Sequence, residues 1–215
     1  MPSQRWWGLA ALGVMLAGAP LAAQDAIAAG DLPPVGYGAL NQDQLTVRFG
    51  AQDLEIRVAP LDERLLRLLA PDAYRTLRGL VDERRAAIDS AAAAAEGISA
   101  PGLMLVSFFA RQRDARFEPE NLSLLWRGQL ERPAAILPIN ANFSGRQLGT
   151  RQQASAIYLY AQPVPVFEPF AISYNGVTSG GWEQALQRID RERSRVLARW
   201  QTERERARDT VATKP

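Results

Sequence analysis

The chain of 215 residues contains no cysteine and no histidine, and Lys214 is its only lysine. Each absence removes chemistry. Without cysteine there are no disulfides, so stability has to come from the core alone. Without histidine, neither a Ser-His-Asp nor a Cys-His relay can be assembled within the chain. A Schiff base or a phosphate-loop lysine would have to use Lys214, and no G-x-x-x-x-G-K-[ST] motif is present. Zinc sites draw heavily on Cys and His. Copper favours soft sulfur, and Met1, Met15 and Met104 are the only methionines. Haem lacks its ordinary axial ligands. The sequence therefore points to no catalytic residue, no metal and no cofactor.

Charge of one sign is also lacking. Lys and Arg number 25 against 23 Asp and Glu, a formal net charge of +2. A nucleic-acid footprint needs clustered basic charge, so no nucleic-acid partner is expected. Hydrophobic residues make up 47% and charged residues 22%, ordinary values for a globular chain.

What is present begins with Arg5, followed by the uncharged run Trp6 to Ala23. Pro20-Leu21-Ala22-Ala23 ends that run on small residues. A charged start, an apolar stretch and a small-residue cut site make a secretory signal. This predicts a signal peptide over 1–23 and a periplasmic, or otherwise extracytoplasmic, mature protein. If uncleaved, the same run is nearly long enough to span a bilayer, which takes about 20 apolar residues. Only then is the membrane a partner. Gly8, Gly13, Gly18 and Pro20 weaken it as a long helix.

Residues 24–43, rich in Ala, Gly and Pro, read as a flexible leader. A period of two then sets in. Leu45, Val47 and Phe49 alternate with polar residues, as do Leu54, Ile56 and Val58, giving a β-hairpin with one face in the core. Residues 61–96 read as a helical insertion: Asp62 as a cap, Leu65, Leu68 and Leu69 on one face, Pro71 at a second helix start, and Tyr74, Leu77, Val81 and Ile88 at helical spacing. Further strands follow at 103–110, 121–127, 134–139, 155–161 and 170–174. Pro133 and Pro138 push the third of these to a sheet edge. The expected fold is mainly β with helical additions: an antiparallel Ig-like β-sandwich of about seven strands over 44–178, with the insertion after strand two. A long C-terminal helix covers 179–210, and 211–215 form a disordered tail.

Functional candidates are few. On the C-terminal helix, Trp182, Leu186, Ile189, Val196 and Trp200 form a heptad-like stripe interrupted by Arg193. Its proximal half is expected to dock on the sandwich. Its distal half is more charged, which makes Val196 and Trp200 candidate contacts for a protein partner. Tyr158 and Tyr160, with Arg146 and Arg151 in the preceding Gly-rich loop, are candidate surface-binding residues. Glu118, Glu120, Glu131 and Glu168 are the carboxylates a glycan hydrolase could use across a cleft. The leading expectation is an exported cell-envelope protein that acts as a non-enzymatic binding or assembly module. A carboxylate-dependent glycan hydrolase of the envelope is the alternative.

Overall fold

A computed structural model describes residue 32, residues 35–95 and residues 98–212, with side chains through residue 206. The expected signal peptide 1–23 lies outside the described residues, as do 24–31, 33–34 and 213–215.

The chain is mainly antiparallel sheet with a few helices and a long C-terminal one. A 3-10 turn at Gln42–Leu45, closed by Asn41, leads into β1 (Val47–Ala51) and β2 (Leu54–Pro60). They pair as the expected hairpin, with Val47 opposite Val58 and Phe49 opposite Ile56. Three helices fall before the next strand: α1 (Glu63–Leu66), α2 (Pro71–Glu83) and α3 (Arg85–Ala94). The Asp62 carboxylate accepts the Arg64 N–H at 2.8 Å, satisfying one orphan donor at the start of α1. The helix expected from Pro71 onward within 61–96 breaks at Arg84, whose guanidinium donates to the Ile139 carbonyl at 3.2 Å. That bond ties the helical segment to the sheet.

The remaining strands are β3 (Gly102–Ala110), β4 (Ala115–Arg116), β5 (Leu122–Trp126), β6 (Gln129–Glu131), β7 (Ala135–Pro138), β8 (Gln147–Leu148), β9 (Gln153–Tyr160), β10 (Ala171–Tyr174) and β11 (Val177–Ser179). One sheet has the order β1-β2-β3-β9-β7, a second β11-β10-β5-β6, and β4 pairs with β8. All seven expected strands are there. The four extra ones are two or three residues long. Two of these, β6 and β11, close two-residue hairpins. Arg127-Gly128 has φ of 50° and 78°, and Asn175-Gly176 has 47° and 80°. Positive φ at both central residues suits the twist of the flanking strands. β7 is an edge strand, as its prolines demand.

The inner face of β3 carries Met104, Val106 and Phe108, all fully buried. The Phe108 ring stacks on Phe117 at 4.9 Å and meets Tyr174 of β10 at 5.7 Å, so the two larger sheets share a core. Phe143 closes the cluster 5.5 Å from Phe117.

The C-terminal helix α4 (Gly181–Ala212) buries Trp182, Ala185, Ile189, Glu192 and Val196. These steps of three and four define one face of a helix. Trp182 stacks on Phe170 at 4.7 Å. Against this face lie residues 37–40, part of the expected flexible leader. The Ala39 N–H donates to Glu192 at 2.7 Å, and Arg195 donates to the Tyr37 carbonyl at 2.8 Å. The Tyr37 hydroxyl donates to Glu203. On the other side, Leu40 exchanges backbone bonds with Leu68 and Ala70 at 3.0 and 2.8 Å. A Cβ on Gly38 would sit 2.2 Å from the Leu68 carbonyl carbon, so only glycine passes there. Residues 37–40 therefore form a strap fixed on both sides.

Candidate functional site

A cleft of about 310 Å³ opens on the outer face of the five-stranded sheet. Strand registers build its floor from three cross-strand rows. Arg57, Ser107 and Ser155 stand opposite one another on β2, β3 and β9, and Arg48 of β1 extends that row. On one side runs the row Glu55, Phe109 and Gln153, and on the other Ala59, Leu105 and Ile157. A polar row thus separates an aromatic one from an apolar one. Leu80 of α2 and Ile139 wall the apolar side, while Gln42 of the 3-10 turn and Thr46 just after it wall another.

The two serine hydroxyls lie 2.8 Å apart. One proton is spent on that bond, which leaves the other free to donate. The Arg57 Nε–H donates to Glu55 at 2.7 Å, and its guanidinium lies 4.2 Å over the Phe109 ring. The terminal nitrogens of Arg57 have no other partner among the described residues. Arg111 approaches Glu55 at 3.9 Å and packs over Gly50, where a Cβ would come within 2.8 Å of its Nη1. Arg48 pairs with Asp43. Of these charged groups only Arg57 and Asp43 line the cleft. The chemistry on offer is donor-rich hydrogen bonding beside an apolar wall.

The structure places the sequence candidates differently. Tyr158 and Tyr160 are both fully buried and form no surface. They point inward from β9. The Tyr158 hydroxyl donates to the Pro119 carbonyl at 3.0 Å, whereas the Tyr160 hydroxyl has no partner among the described residues. Burial raises the pKa of both phenols far above the usual tyrosine range. Arg146 is exposed and pairs with Glu120, and Arg151 is exposed in the turn before β9. The four residues do not make one site. Val196 is also fully buried, in the chain's own core, and is no partner contact. It falls on the same face of α4 as Trp182 and Ile189. Trp200 is half-buried, with Arg204 over its ring at 4.9 Å.

None of the four glutamates lines the cleft. Glu118 accepts from Asn121, and Glu168 accepts from Trp126 Nε1 at 3.1 Å and from Arg127 at 2.9 Å. Burial raises the Glu131 pKa, and the backbone N–H groups of Gln162 and Ala161 oppose that shift. Among the described residues no group of three or more His, Cys, Asp or Glu side chains gathers where it could hold a metal ion. No helix among them is long and apolar enough to cross a membrane.

Sequence reasoning missed the cleft. Its one local signal was Ser107, a hydroxyl within the apolar run of β3. Compared with known protein families, with curated proteins and with solved structures, the chain matches none.

Proposed function

We propose that this is an exported cell-envelope protein that works as a non-enzymatic binding module, with the outer-face cleft as its ligand-contacting surface. The observation that carries the reading is the Arg57-Ser107-Ser155 row. Unspent donors stand on a paired sheet, beside apolar walls, in a concave site. Ligand pockets combine these parts: mostly apolar linings with a few fixed polar groups. Export rests on the segment 1–23. The finer fold in this proposal is an Ig-like sandwich, supported by the contact of Phe108 with Tyr174 between the two larger sheets.

Two measurements test the proposal. Cell fractionation with N-terminal sequencing is expected to find a mature chain starting at Gln24 outside the cytoplasm. Thermal-shift screening against small-molecule extracts of the envelope is expected to give hits that vanish in Gln153→Trp, which places an indole at the cleft mouth. A cytoplasmic protein starting at Met1 would refute export. Hits that are identical in the variant would refute the cleft.

A further inference from the structure

We infer that the cleft takes a small monoanionic amphipath: a carboxylate head on a short branched or linear aliphatic body. The inference rests on reading the cleft as a binding surface and adds the chemical class of its ligand.

Charge fixes the head group. Only Arg57 and Asp43 among the lining residues are charged, and Asp43 is paired with Arg48, so Arg57, which shares Glu55, is the cation a ligand meets. A cationic ligand meets like charge at Arg57.

Hydrogen bonding narrows the head further. The Arg57 terminal nitrogens and one serine proton are donors without acceptors among the described residues. The side-chain amide of Gln153 is likewise unpaired. A guanidinium fork beside a hydroxyl matches the two oxygens of a carboxylate. The stacking of Arg57 on Phe109 at 4.2 Å pins the guanidinium plane, so little freedom is lost on binding.

The apolar side fixes the body. Leu80, Leu105, Ala59 and Ile139 border the polar row, and about 310 Å³ lies at the small end of ligand pockets. The body is therefore a few carbons long. A free short-chain acid and the C-terminal carboxylate of a peptide ending in an aliphatic residue share this chemistry.

Nuclear magnetic resonance titration of the whole protein tests the inference. The probes are 4-methylpentanoate, N-acetyl-leucine, the neutral 4-methylpentanamide, acetate and inorganic phosphate. Both amphipathic acids are expected to shift the Ser107, Ser155 and Gln153 amide resonances and to bind at least about tenfold tighter than the amide. Acetate, lacking the body, binds more weakly than either. Arg57→Gln brings the acids down to the affinity of the amide, while Arg57→Lys, which keeps charge and stem, retains part of the preference. Tighter binding of N-acetyl-leucine assigns a peptide C-terminus, and tighter binding of 4-methylpentanoate a free acid. Equal binding of amide and acid, phosphate binding as tightly as the acids, or an unchanged Arg57→Gln overturns the inference and leaves the cleft as a binding surface. If neither these probes nor envelope extracts perturb the cleft resonances, both readings fall.

Discussion

Glu192 is a charged side chain on the buried face of α4, and removing it tests what holds the strap in place. Its carboxylate accepts the Ala39 N–H at 2.7 Å and pairs with Arg195, which also donates to the Tyr37 carbonyl at 2.8 Å. A hydrogen bond to a charged group contributes about 1.5–3 kcal/mol. The pair with the half-exposed Arg195 adds at most about 1 kcal/mol. Ala39 is itself exposed, so water recovers part of its lost bond in Glu192→Ala. The expected loss is therefore about 2 kcal/mol in urea unfolding, with faster hydrogen exchange at the Ala39 and Leu40 amides. The effect depends on pH. The Arg195 hydrogen bond, helped by the Ala39 N–H and opposed by burial, holds the Glu192 pKa below the ordinary carboxylate value. A depressed acid stabilises the fold above its unfolded pKa of about 4.3 and loses that contribution as pH falls through the folded value. The gap between wild type and Glu192→Gln is therefore full at pH 7 and closes below pH 4. A loss under about 0.5 kcal/mol at pH 7 with unchanged exchange would refute the strap argument.

The two buried tyrosines separate by the same logic. Tyr158→Phe removes one of two bonds to the Pro119 carbonyl, which keeps the Leu122 N–H, and costs about 0.5–1.5 kcal/mol by chemical denaturation, whereas Tyr160→Phe removes a hydroxyl with no partner among the described residues and is neutral or stabilising. The reverse order would contradict the assigned bonding. Gly102→Ala places a Cβ 2.3 Å from the Gln162 carbonyl oxygen and 2.9 Å from the Val164 nitrogen, both backbone atoms, and is expected to destabilise by at least about 2 kcal/mol or to prevent folding. Gly79→Ala, with open space around it inside α2, is expected to stabilise by about 0.5–1 kcal/mol. Burial raises the Glu131 pKa, so its charge opposes folding once pH exceeds the unfolded value; Glu131→Gln is expected to be modestly more stable than wild type at pH 7 and equal to it at pH 3.

Much of the fold is legible locally. The β1–β2 hairpin follows from two alternating runs, and the edge position of β7 follows from Pro133 and Pro138. β11 was legible too, because Asn175-Gly176 is a strong two-residue hairpin signal. β6 carried no such signal: Gln129-Leu130-Glu131 is too short to show a period, and Arg127-Gly128 is an unusual type I′ pair. On α4, helical spacing brought out the apolar residues but put Arg193 in the stripe. The structure puts Glu192 there, a charge tolerated because a backbone N–H and Arg195 satisfy it.

The sequence by itself determined the chemical inventory and the local periods. With no Cys, no His and one tail lysine, it removed disulfides and histidine relays, and its alternations and apolar runs placed seven strands. Those are properties of composition and of neighbours a few residues apart. Only the tertiary structure decided which faces are covered. Alternation showed that Tyr158 and Tyr160 share a face of β9, but whether that face meets water depends on what packs against it. The cleft is of the same kind. Ser107 and Ser155 are 48 residues apart and meet because β3 and β9 pair in one register. That register is set by burying the inner face of the five-stranded sheet against the second sheet, a global condition that no local stretch of sequence carries.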